Sequence, residues 1–193
     1  MAIRLVVGLG NPGKEYERTR HNAGFWLVER FAQANGVVLR KDAKFKALVG
    51  RHESSGAWLL LPQTFMNLSG EAVSAAARFF KVEAGDVAVA HDEIDLEFGR
   101  IQVKRGGGDA GHNGLRSIRQ HLGGETVRVR FGVGRPPPQW EGADWVLAKV
   151  SSEEEEELKE LVPQAADAAI AALLEGPLVA ANKYNRRPQK EEK

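Results

Sequence analysis

The sequence predicts one three-layer α/β domain, with a mixed, largely parallel central sheet flanked by helices. Six apolar runs of strand length recur along the chain, at residues 3–8, 46–51, 57–61, 86–91, 99–104 and 126–134. Stretches with helical periodicity lie between them, and alternation of strands with helices argues for a parallel sheet covered on both faces. The runs at 46–51 and 57–61 are joined only by the turn HESSG, which reads as an antiparallel hairpin and makes the sheet mixed.

Each element follows from its residues. Residues 3–8 form a continuous apolar run ending in Gly8-x-Gly10-x-x-Gly13, a spacing shared with dinucleotide-binding turns. That reading fails on context. KEYERTRHN follows Gly13 without an apolar stripe, and the acidic residue expected further on could only be Glu29, inside an amphipathic helix. A strand followed by a rigid polar loop fits better. Ala23, Leu27, Phe31 and Ala34 share a helix face, as do Val73, Ala76, Ala77 and Phe80, and then Leu115, Ile118 and Leu122. SSEEEEEL, residues 151–158, reads as a helix start, with a capping serine followed three residues on by Glu and with carboxylates at the positive end of the dipole. The Ala/Leu-rich stretch 158–175 contains Pro163, which should kink or split it. Gly176-Pro177 punctuates the chain, and a last short helix is expected from about Leu178. The domain should therefore span residues 1–185, leaving the polar tail 186–193.

Bulk properties narrow the function. A chain of 193 residues, 42% apolar, fills one core and is short for two. Without cysteine, disulfides and thiol catalysis are excluded. No signal pattern and no apolar run of spanning length occur, so a soluble cytoplasmic protein without a membrane partner is expected. Net charge is +1, yet eight basic residues (Arg100, Lys104, Arg105, Arg116, Arg119, Arg128, Arg130, Arg135) face two acidic ones (Asp109, Glu125) between residues 100 and 135. That local excess is suited to phosphates. Arg128 and Arg130, two apart on a strand, share a face; Arg116 and Arg119, three apart on a helix, are neighbours.

Ligands of open α/β sheets bind beyond the carboxyl ends of strands. Four strand ends here lead to polar junctions: Asn11 with His21-Asn22; Thr64-Phe65-Met66-Asn67; His91-Asp92-Glu93; and the glycine loop 106–111 with His112-Asn113. The glycine loop lacks the Lys-Ser/Thr ending of a phosphate-binding P-loop, and no serine sits in a nucleophile elbow. His21, His91, His112 and Asp92 lack metal-ligand spacing in sequence, although they could still assemble a site in space. A histidine–carboxylate pair remains: imidazole takes a proton from water, a carboxylate fixes its tautomer, and amides position a carbonyl or its oxyanion. This cast suits water-mediated cleavage of an activated acyl group.

GLGNPGKEY with TRHNAG, then PQTFMNLSG, then HDEIDLEFGRIQVKRGGG with GHNGLRS, resemble in order and spacing the motifs of bacterial-type peptidyl-tRNA hydrolases, over residues 3–185. The resemblance implies cofactor-free cleavage of the ester joining a peptide, or an N-blocked amino acid, to the terminal ribose of tRNA, by a monomer that meets the acceptor stem and 3′ end. It implies His21 as base, Asp92 as its orienter and Asn11 near the attacking water. Asn67, Asn113, Met66 and His112 become peptide-cleft residues, and no metal is implied. Lys104 and Arg130 match tRNA-binding positions, and Arg105, Arg128, Arg135, Arg116 and Arg119 extend the basic patch. Two departures stand out. Asp109 and Ala110 replace residues of the family's His-Gly loop, and Gln139 lies near a family lysine with no counterpart here. An RNA-binding protein of the same fold without hydrolytic activity is the alternative.

Overall fold

The computed structural model describes residues 2–175. The Gly176-Pro177 break, the helix expected from 178 and the boundary at 185 lie outside the described residues. Seven strands form one sheet: β1 (Leu5–Gly8), β2 (Arg40–Asp42), β3 (Ala47–Arg51), β4 (Trp58–Pro62), β5 (Val87–Glu93), β6 (Ile101–Arg105) and β7 (Val127–Gly132), in the order β2-β3-β4-β1-β5-β7-β6. The centre, β4-β1-β5-β7, is parallel; β2, β3 and β6 attach antiparallel at the edges. The largely parallel, mixed sheet agrees with the sequence expectation. Edge strand β2 was not expected, because its residues Arg-Lys-Asp carry no apolar alternation; charge on an edge strand discourages pairing with another chain.

Alternating side chains feed two cores. Val6, Leu59, Leu61, Ala88 and Ala90 face α1 (Ala23–Ala34) and the C-terminal helices, whereas Leu5, Val7, Leu60, Val87 and Val89 face α2 (Ser69–Phe80) and α3 (Asn113–Leu122). Every strand residue just named is under 1% exposed, as a parallel sheet covered on both sides requires. A six-residue helix, α4 (Gly142–Leu147), was not foreseen; it buries no residue and is too short to show a periodic stripe. The chain then enters α5 (Ser152–Ala165) through the capping box formed by Ser151 and Glu154. Pro163 lies inside α5 rather than ending it, and the irregularity begins three residues later, as a π-helical turn Ala166–Ile170 ahead of α6 (Ala171–Glu175).

The glycines of the first loop serve packing. A Cβ on Gly8 would stand 2.5 Å from the Gly24 carbonyl oxygen, and one on Gly10 would meet the Phe25 ring at 2.7 Å. Gly24, in the first turn of α1, is tighter: its Cβ would lie 2.2 Å from the Ala90 carbonyl oxygen and 2.5 Å from the Leu9 nitrogen. Backbone atoms of β5 and of the residue that directly follows β1 cannot yield to a methyl group. Gly24→Ala is therefore expected to lower unfolding free energy by about 3 kcal/mol, read from the denaturant midpoint. A midpoint equal to wild type would contradict this packing.

Candidate active site

Two neighbouring strands carry the centre of the site to the carboxyl edge of the sheet. Beyond β1 the chain forms the loop 9–19 and then one tight helical turn, Arg20–Asn22, that delivers His21 directly before α1. The carboxyl end of β5 places His91 and Asp92, both 2% exposed, alongside. His21 Nδ1 lies 2.9 Å from Asp92 Oδ2, and His112 Nε2 lies 2.8 Å from Asp92 Oδ1. One carboxylate thus holds two imidazoles, whose ring centres are 4.8 Å apart.

The two histidines differ in what remains free. His112 caps α3: its Nδ1 accepts the Gly114 and Leu115 N–H groups at 3.2 and 3.3 Å. Nδ1 must then be unprotonated, so the proton sits on Nε2 and is donated to Asp92. Both nitrogens of His112 are committed. His21 uses only Nδ1, and its Nε2 makes no hydrogen bond among the described residues. The His112 cap and its bond to Asp92 had no signal in sequence, because an N-cap histidine is indistinguishable there from any residue preceding a helix.

Electrostatics follow from this geometry. Burial pulls the His21 pKa down, but the Asp92 charge and hydrogen bond more than offset it, leaving His21 above the ordinary imidazole value. Burial opposes ionisation of Asp92, yet His21 and His112 hold it far below the usual carboxylate range. His91 is pushed down to about 3 by burial and by His112, so it is neutral, with its Nδ1–H donated to the Asp92 carbonyl at 2.8 Å. His21, Asp92 and His112 also offer ligand atoms within 4.8 Å of one another. Their N···O separations of 2.8–2.9 Å are hydrogen-bond contacts, whereas tetrahedral zinc ligands at about 2.1 Å stand roughly 3.4 Å apart. The cluster is spaced as a proton-holding chain.

Amides frame the base. Asn22, which the sequence reading left outside the site, accepts the Asn11 N–H at 2.8 Å and donates Nδ2–H to the Asn11 carbonyl at 3.0 Å. Asn11 Oδ1 in turn accepts the Met66 N–H at 2.7 Å. With its oxygen engaged and its orientation fixed, Asn11 has its amide N–H groups to offer. Asn67 stands exposed on the turn Met66–Leu68, and Asn113 opens α3.

A cleft of about 600 Å³ runs from His21, Asp92 and His112 past Asn113 to Lys104, Arg128 and Arg130, with Val146 and Leu147 of α4 forming part of its wall. Lys104 pairs with Arg128 and Gln102 with Arg130 in the β6–β7 register. Lys104, Arg128 and Arg130 therefore share one face, as their spacing requires. Arg130 is bound to Glu93 and Gln102, and Arg128 donates to the Gly108 carbonyl. Arg105 points elsewhere, to the Gly85 and Glu125 carbonyls. Arg135 is exposed and lies 3.5 Å from Asp95, while Arg116 and Arg119 of α3 both meet Asp109.

The chain is similar to known proteins over most of its length. The family described as Peptidyl-tRNA hydrolase matches residues 5–193. A peptidyl-tRNA hydrolase of Anaeromyxobacter dehalogenans is 49% identical over 188 residues, covering 96% of this chain and 97% of that protein. One from Thiobacillus denitrificans is 46% identical, covering 97% and 89%. The crystal structure of peptidyl-tRNA hydrolase from Acinetobacter baumannii superposes with a TM-score of 0.85 at 42% identity, covering 95% of this chain and 94% of that one.

Proposed function

Because the chain belongs to the peptidyl-tRNA hydrolase family and is an enzyme that hydrolyses peptidyl-tRNA, we propose that His21 is its general base, oriented by Asp92. The observation that carries this assignment is the unequal commitment of the two imidazoles on Asp92. His112 has no nitrogen left for water; His21 keeps Nε2. In this reading His21 Nε2 takes a proton from water as the water oxygen attacks the ester carbonyl. The imidazolium is held by Asp92 and returns the proton to the departing 3′-terminal ribose oxygen. Asn11 positions the water and the carbonyl, its amide N–H groups facing charge that develops on oxygen. Asn67 and Asn113 hold the peptide, with Met66 shaping the cleft. His112 is better read as a second holder of Asp92 than as a contact to the peptide.

Lys104, Arg128 and Arg130, on one face beside the cleft, are proposed to meet phosphates of the acceptor stem and 3′ end, together with Arg116 and Arg119, which meet Asp109, and Arg135, which meets Asp95, both carboxylates lining the cleft. The reading is completed by a monomer acting in the cytoplasm, where translation supplies the substrate. Among the described residues no helix is long and apolar enough to cross a membrane.

The test compares N-blocked aminoacyl-tRNA with the unblocked form, with and without a chelator. Cleavage confined to the blocked form and unchanged by chelation is expected. Equal cleavage of both would refute peptidyl selectivity, and loss on chelation would turn the His21–Asp92–His112 cluster into a metal centre.

A further inference from the structure

The loop 106–111 carries a carboxylate into the middle of the basic surface. Asp109 Oδ2 lies 2.8 Å from Arg119 Nη2 and 3.8 Å from Arg116 Nε, and Oδ1 accepts the Gly111 N–H at 3.3 Å. Its side chain is 12% exposed, whereas the two arginine side chains are about half exposed. The Asp109 charge also acts on Arg128, whose guanidinium is bound to the neighbouring Gly108 carbonyl. Lys104 completes the row: a Cβ on Gly107 would stand 3.2 Å from its ammonium, and that ammonium makes no ion pair among the described residues. Three arginines thus meet or feel one carboxylate, with Lys104 beside the same loop, and Asp109, Lys104 and Arg128 line the cleft that holds His21.

We infer that Asp109 is an internal stand-in for a phosphate: it occupies Arg116 and Arg119 in the free enzyme, and an RNA phosphate takes its place when substrate binds. Both groups present the same chemistry, anionic oxygens matched to the guanidinium fork. A backbone phosphodiester carries one negative charge, like the carboxylate, and differs in that its binding also releases counterions from the RNA. The loop is built to let the exchange happen. Gly106, Gly107 and Gly111 have φ values of +64°, +102° and +81°, and Ala110 sits at +48°. Among the described residues, apart from the two arginines, the Asp109 side chain is held only by the Gly111 N–H, and its carbonyl accepts the His112 N–H at 2.8 Å. The carboxylate thus sets the affinity for tRNA: it competes with the ligand and weakens binding. This inference rests on reading the basic residues as RNA-facing.

The experiment measures binding of deacylated tRNA by the full chain over a salt series. Asp109→Asn keeps an acceptor for Gly111 and removes the charge. It is expected to bind about 5-fold tighter at low salt, with a log–log salt dependence steeper by about one unit. The gain should vanish in the triple variant Asp109→Asn, Arg116→Gln, Arg119→Gln, measured against Arg116→Gln, Arg119→Gln. Unchanged or weaker binding by Asp109→Asn, or a gain that survives in the triple variant, overturns the inference. Wild-type binding that ignores salt would overturn the RNA-facing reading and the inference together. Salt-sensitive wild-type binding with no effect of Asp109→Asn overturns the inference alone.

Discussion

Replacing His21 by Ala is expected to lower kcat for peptidyl-tRNA hydrolysis by about 10³-fold, within the range for loss of a general base, with KM changed little. Among the described residues the imidazole is the only group on Asp92 with a nitrogen still free to take a proton from water, and no other histidine of the cluster offers one. His91 is neutral and buried against the Asp92 carbonyl, and His112 is fixed as the cap of α3. The basic residues along the cleft are untouched by the change, so substrate binding should persist. A fall confined to kcat means an interaction made in the transition state has gone. Removing the imidazole leaves Asp92 Oδ2 without its partner, for which a stability loss of about 1–3 kcal/mol is expected. Thermal unfolding of the variant should still be cooperative.

Asp92→Asn should be nearly as damaging, for a different reason. Both imidazoles donate N–H to the carboxylate, and an amide can accept only through its oxygen. Its NH2 group must face one of the two rings. His112 cannot turn its tautomer, because Nδ1 already accepts the Gly114 and Leu115 N–H groups. The conflict therefore falls on His21, whose proton moves to Nε2, the nitrogen that has to be empty. An imidazole held in the wrong tautomer by the same exchange in a serine-protease triad loses about 10⁴-fold, and a loss of about 10³-fold is expected here. The pH profile should move as well. In the wild type the Asp92 charge and hydrogen bond outweigh burial and raise the His21 pKa. Without the charge, burial dominates, and the acid limb should shift to lower pH in the variant. The same raised pKa gives the folded state an increment of stability that is full below the unfolded pKa of about 6.5. That increment is lost as pH rises through the folded value.

Much of this was legible in residue pattern. Buried strands such as β1, β4 and β5 are continuous apolar runs, and the Ser151–Glu154 box announced α5. His21, Asp92 and Asn11 stood out because polar residues gathered at strand ends. What escaped has physical reasons. β2 is charged throughout, since an edge strand draws its stability from one neighbour and not from burial. α4 is too short for a period to appear. Asn22 was given no role and His112 was expected in the peptide cleft, not on Asp92; both act through hydrogen bonds to residues 11 and 20 positions away in sequence, a relation set by the fold alone. Charge counting gave Arg105, Arg128 and Arg130 equal standing; structure separates them, because Arg105 braces two carbonyls on another side and Arg130 is already paired with Glu93.

The most direct test of His21 as the base follows two signals on the same protein across pH. One is the single-turnover rate of peptidyl-tRNA cleavage; the other is titration of the His21 ring by NMR. The rate should rise with a midpoint that coincides with the His21 titration, above the ordinary imidazole value, and both should fall together in Asp92→Asn. A rate limb that stays in place while the His21 titration moves would show that the proton is taken elsewhere.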